Sequence, residues 1–294
     1  MPALTLLDGG FGRELARIGA PFRQPEWSAL ALMQAPRYVS RVHDAYVDAG
    51  ADVITADSYA VVPFHIGEDR FTAQGLTLAD LAGQLARAAA DRSTRPVLVA
   101  ASLPPVCGSY RADLFDVDHA RPVLQTLIAG LRPHADVWLA ETLSAIEEAE
   151  LVRETLGDDP RPLWLSFTLN DDDATPGAPT LRSGQSVSDA VAAAARLDAA
   201  AVLFNCSQPE VMAAAVDAAR TGGGSMPVGV YANAFPPQPK DASANDGLDD
   251  IRADLTPAGY LAFARSWRTR GAAIVGGCCG IGPEHIAALR KGLD

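Results

Sequence analysis

The sequence predicts a (β/α)8 TIM barrel with its active site at the C-terminal ends of the strands. Three observations carry this. Short β-branched runs alternate with Ala- and Leu-rich helical stretches along the chain. Eight strand candidates can be marked, each followed by a helix. The runs are apolar almost throughout, as strands of a parallel sheet covered on both faces must be. A doubly wound open sheet is the alternative. Its G-x-G-x-x-G fingerprint is missing, because Gly9-Gly10-Phe11-Gly12 has the wrong spacing.

The first run is Leu4–Leu7, followed by Asp8-Gly9-Gly10. A helix over Tyr38–Ala49, with Val39, Val42, Tyr46 and Val47 at helical spacing, leads into Ala51–Thr55. A helix over Leu78–Asp91 precedes the strand Pro96–Ser102, and Val123–Leu131 precedes Val137–Glu141. The helices Ala145–Leu156, Val187–Leu197 and Pro209–Arg220 precede the strands Leu163–Thr168, Ala201–Cys206 and Val228–Tyr231. Pro257–Arg270 precedes Ala272–Cys279, and a last helix covers Pro283–Leu289. Two turn-rich stretches, Asn170–Gln185 and Asn233–Leu248, follow strand candidates and read as loops over one barrel end. No domain boundary interrupts the pattern, so one barrel domain over residues 1–294 is expected.

The formal charge of −12 makes nucleic acid an improbable partner and leaves small molecules as the expected ones. No apolar run reaches the ~20 residues of a bilayer span, so no membrane association is expected. The N-terminus lacks a basic segment and a cleavage site and reads as a strand, which predicts a cytoplasmic protein. Thiols stay reduced there, so the four cysteines favour metal binding or catalysis over disulfides.

If the barrel is right, distant polar residues converge at the strand ends: Asp8, Asp57, Ser58, Ser102, Glu141, Ser166, Thr168, Asn205, Cys206, Tyr231, Asn233, Cys278 and Cys279. Cys206 ends the sixth strand, and Cys278 and Cys279 end the eighth. Three thiolates on Zn²⁺ leave one tetrahedral position open, the mark of a catalytic site. Adjacent cysteines need backbone freedom to aim two sulfurs at one ion, and Gly276, Gly277 and Gly280 flank the pair. Two other readings stand beside zinc. A buried Cys is often an inert small hydrophobe, the reading given to Cys107. A Gly-rich turn after the eighth strand is also a common phosphate site. The histidines form no rival site: His134 is at the wrong barrel end, His43 and His285 sit on helices, His119 in an Asp-rich turn, and His65, which follows the second strand and could face the site, reads better as a structural loop residue.

At these residues the sequence resembles the homocysteine S-methyltransferase family over almost the whole chain. The motifs are Leu7-Asp8-Gly9-Gly10, Ala49-Gly50-Ala51-Asp52-Val53-Ile54-Thr55, Glu141-Thr142, Ser166-Phe167-Thr168, Asn205-Cys206, Tyr231-Ala232-Asn233 and Gly276-Gly277-Cys278-Cys279-Gly280. The last is the most specific. The resemblance implies a barrel with one zinc per chain on three cysteines, matching Cys206, Cys278 and Cys279. It implies methyl transfer to the thiol of homocysteine. The chain departs from the family near Arg13, at Ser102-Leu103-Pro104-Pro105 and at Leu143-Ser144, all on the donor side. Its length resembles the stand-alone enzymes that use S-methylmethionine or S-adenosylmethionine.

On that reading Glu141 and Asp8 would bind the homocysteine ammonium. Gly9, Gly10 and Ser166 would hold its carboxylate. Asp57, Ser58, Tyr59, Tyr231 and Asn233 would face the donor, since aromatic faces and a carboxylate suit a sulfonium. Glycine betaine or another methylated amine is the alternative donor, and a non-catalytic zinc-binding barrel the alternative of another class. A Schiff-base barrel is disfavoured because Lys240 and Lys291 are the only lysines.

Overall fold

A computed structural model describes residues 3–171, 178–222, 224–239, 245, 247 and 250–293. The strands are β1 (Thr5–Leu6), β2 (Val53–Thr55), β3 (Leu98–Leu103), β4 (Val137–Leu143), β5 (Leu163–Phe167), β6 (Ala201–Asn205), β7 (Val228–Tyr231) and β8 (Ile274–Val275). They pair in parallel in the order β1-β8-β7-β6-β5-β4-β3-β2. A parallel bridge between Leu7 and Val53 joins the two ends, so the sheet closes into a (β/α)8 barrel.

Side-chain alternation divides the core in two. Leu7, Val53, Ala100, Leu139, Leu203, Tyr231 and Ile274 pack inside the barrel. Their strand neighbours Ile54, Val99, Ala101, Trp138, Ala140, Val202 and Phe204 pack outward against the helices. Both faces are covered, which is why the runs are apolar throughout.

The outer helices are α1 (Phe11–Arg17), α2 (Ser28–Gln34), α3 (Pro36–Ala49), α4 (Pro63–Ile66), α5 (Glu68–Arg92), α6 (Val117–Leu131), α7 (Ile146–Leu156), α8 (Val187–Arg196), α9 (Pro209–Gly222), α10 (Pro257–Thr269) and α11 (Pro283–Leu293). Three corrections follow. The short helices α1, α2 and α4 have too few turns to show a period and were not expected. α5 starts ahead of Leu78, because its first turns are largely polar and solvated. α6 starts at Val117, where Asp116 accepts from the backbone N–H groups of Asp118 and His119. His119 is thus in a helix rather than a turn, and the helix runs through Pro122 instead of starting at Val123.

Lys240 and parts of both turn-rich stretches lie outside the described residues. No described helix is long and apolar enough to cross a membrane.

Candidate active site

The turn after β8 enters the barrel mouth between its neighbours. The Gly277 N–H donates to Asp8 O, and Cys278 N–H to Ala232 O. A Cβ at Gly277 would sit 2.2 Å from Ile281 Cγ2, and one at Gly10 2.5 Å from Cys278 O. Glycine is therefore required for close approach at both positions. Of the three glycines flanking the cysteine pair, only Gly280 has a positive φ.

Cys206 follows β6 with φ 52°, a left-handed conformation that costs a non-glycine residue on the order of 1–3 kcal/mol. Thr142, after Glu141 on β4, also has a positive φ, 60°. Asn205 joins these strand ends. Its Oδ1 accepts from Thr142 N–H (3.0 Å) and Ser166 O–H (2.8 Å), and its Nδ2 donates to Thr142 Oγ1 (2.8 Å).

The result is a cluster of three sulfurs. Among the described residues, the Sγ atoms of Cys206, Cys278 and Cys279 all lie within 4.8 Å of one another. Zn–S bonds of about 2.3 Å in a tetrahedron put sulfurs about 3.8 Å apart, so the donors fit such an ion. Hydrogen bonds from Cys206 and Cys278, helped by Arg13, hold the Cys279 thiol well below its ordinary range. The cluster can hold a metal ion with a fourth position open to the cavity.

That cavity measures about 180 Å³. Three buried carboxylates line it. Asp8 accepts from Thr55 N–H (2.7 Å) and Thr55 O–H (2.9 Å), tying β1 to β2 rather than capping α1. Glu141 accepts from Ser102 O–H (2.5 Å) and Tyr231 O–H (3.1 Å). Asp57 is 3% exposed, and neither of its oxygens reaches a hydrogen-bond partner. Burial lifts all three carboxyls to about 7, against the Thr55 bonds at Asp8, the Ser102 and Tyr231 bonds at Glu141, and the nearby Ser28 hydroxyl at Asp57.

Of the residues read from the sequence, Asp8, Gly9, Gly10, Asp57, Tyr59, Glu141, Cys206, Tyr231, Cys278 and Cys279 line this cavity. Ser58, Ser166 and Asn233 do not, although all are buried. The Ser58 hydroxyl donates to Ser102 O (2.8 Å), Ser166 bonds Asn205, and Asn233 Oδ1 accepts from Phe235 N–H (3.2 Å). The Gly10 N–H is committed to Ile281 O (2.9 Å). His65 lines the cavity, with Nδ1 3.1 Å from Pro25 O. Arg13, Trp27, Thr55, Tyr110, Thr142 and Phe235 line it too and were not read as site residues. Thr55 and Thr142 fall in the family motifs at the ends of β2 and β4, whereas Arg13 in α1, Trp27 ahead of α2, and Tyr110 and Phe235 in the connections after β3 and β7 carry no chemical signal of their own.

Known proteins resemble this chain over nearly its whole length. The family model described as homocysteine S-methyltransferase matches residues 5–293. The chain is 30% identical to Homocysteine S-methyltransferase 4 of Zea mays, covering 98% of this chain and 89% of that protein. It is 29% identical to the Selenocysteine Se-methyltransferase of Brassica oleracea var. italica, over 98% and 88% of the two. The crystal structure of the metallated homocysteine methyltransferase MmuM from Escherichia coli superposes with a TM-score of 0.76 at 29% identity, over 98% and 96% of the two chains. The chain belongs to the homocysteine S-methyltransferase family of methyltransferases.

Proposed function

We propose that this chain transfers a methyl group from a sulfonium donor, S-methylmethionine or S-adenosylmethionine, to the thiol of homocysteine. The product is methionine. One zinc per chain, on Cys206, Cys278 and Cys279, completes the site. The observation that carries this reading is the convergence of three sulfurs on a cavity lined by buried carboxylates.

Zinc, when bound, supplies a thiolate at neutral pH from a thiol whose ordinary pKa is about 8.5. The rest falls to the chain's own groups. Glu141, fixed by Ser102 and Tyr231, faces the homocysteine ammonium with Asp8 beside it. The Gly9-Gly10 turn faces the carboxylate, with Gly9 as the amide nearest to hand because Gly10 N–H is engaged. Ser166 supports this corner through Asn205. Asp57, Tyr59 and Tyr231 face the donor cation, with Ser58 and Asn233 holding the strand ends behind them.

The acceptor sulfur uses a lone pair to form the new S–C bond. The donor's C–S⁺ bond breaks, and its electrons stay on the donor sulfur, which leaves as a neutral thioether. The thiol proton goes to solvent before transfer. No general acid is required, so catalysis rests on activating and aligning the nucleophile.

The test is metal content of the purified, reduced protein, wild type beside Cys206→Ser. About one zinc per chain in the wild type, lost in the variant together with more than about 100-fold of the methyl-transfer rate, is expected. A wild type that stays empty when zinc is supplied overturns the mechanism.

A further inference from the structure

A buried ion pair sits beside the sulfur cluster, and nothing in the mechanism uses it. Arg182 and Asp171 meet at 2.7 Å, with side chains only 1% and 0% exposed. Burying such a pair is costly, so a specific positional role is the natural place to look for its purpose. One end holds a ring: the Arg182 guanidinium carbon lies 4.8 Å from the Tyr110 ring centroid. The other end holds backbone. Asp171 Oδ2 accepts from Gln208 N–H (2.9 Å), and Gln208 Nε2 donates back to Asp171 O (2.8 Å). Gln208 is two residues beyond Cys206. The pair thus fixes both sides of one contact, in which Tyr110 Oη lies 3.0 Å from Cys206 Sγ.

Both partners of that contact have left-handed backbone, φ 69° at Tyr110 and 52° at Cys206. Turns of that kind need outside support, and Arg182 and Asp171 supply it from the β5–α8 connection. Once Cys206 is a thiolate it has no proton to give, so the phenol is the donor.

Resting on the proposed metal site, we infer that Tyr110 is a positioning residue for it: its O–H donates to the Cys206 sulfur, and the Arg182–Asp171 pair holds it there. A thiolate that accepts a hydrogen bond gives less charge to its metal. A metal held by these cysteines would then take an anionic acceptor thiolate more tightly, and the Tyr110 hydroxyl fixes the Cys206 sulfur in direction.

Tyr110→Phe keeps the ring beneath Arg182 and removes only the O–H. In the cobalt(II)-substituted protein its sulfur-to-metal charge-transfer bands are expected to move to lower energy. Because the loss of sulfur positioning outweighs the gain in charge donation, the zinc dissociation constant, read by chelator competition, is expected to rise roughly tenfold. The acceptor KM is expected to rise while kcat holds. Tyr110→Leu should show the same band shift. Unchanged bands and zinc affinity in Tyr110→Phe, with a wild type that binds one metal, overturn the inference. A shift in the Leu variant alone also overturns it, because the ring and not the hydroxyl would then matter. A wild type that takes up neither cobalt nor zinc overturns the proposed function and this inference together.

Discussion

Glu141 and Asp57 are both buried carboxylates lining one cavity, and burial lifts both to about 7. Yet Glu141 is bonded on both oxygens, while Asp57 is bonded on neither. Burial therefore sets proton affinity in both, but only Glu141 has its direction fixed by the protein. A preset carboxylate recognises one ligand group in one place. An orphaned one takes its partner from whatever cation arrives, and leaves the protein less stable until then.

Three substitutions break or sharpen this contrast. Glu141→Gln is expected to act most strongly, raising the homocysteine KM by roughly 10- to 100-fold through loss of a charge-assisted hydrogen bond. Steady-state kinetics at saturating donor check it, and an unchanged KM would remove Glu141 from the ammonium.

Asp57→Asn is expected to raise the donor KM about tenfold and, unlike the first, to stabilise the ligand-free protein at alkaline pH. The sign follows from the carboxyl's folded value of about 7 against an ordinary 3.8. The folded chain keeps a proton that the unfolded chain loses, so stability present below the ordinary value is lost as pH rises through the folded one. Urea unfolding at about pH 8 should show the variant more stable by up to roughly 4 kcal/mol, with the gap closing near pH 4. A gap that does not change with pH would mean the carboxylate is already paired.

Ser166→Ala should do least. It removes one bond to Asn205, for about 1 kcal/mol of stability. A homocysteine KM change beyond a few-fold would put the hydroxyl on the substrate itself.

The strands and the sulfur cluster were the most legible parts of the chain. Apolar runs such as Val137–Ala140, set between helical stretches, read as strands covered on both sides, and a cysteine pair among glycines together with a strand-end Cys206 is a rare chemical combination. Polar residues at strand ends were less legible. Ser58 and Glu141 both read from the sequence as polar strand-end residues, but one bonds the next strand's carbonyl and the other lines the cavity, and residue type does not separate these fates. Tyr110 and Arg182 were invisible, because their roles depend on a contact between loops distant in sequence and on left-handed backbone at two non-glycine residues.

The closure of the barrel carries one more consequence. Cys206 follows β6, whereas Cys278 and Cys279 follow β8, which lies between β7 and β1. The three sulfurs meet only when β8 has taken its place beside β7. During synthesis the nascent chain on the ribosome has a single cysteine at this place, and a chelating trio appears only at the end. A metal bound there would tie the end of β6 to the end of β8 across β7, and its uptake would mark a barrel whose eighth strand is in place.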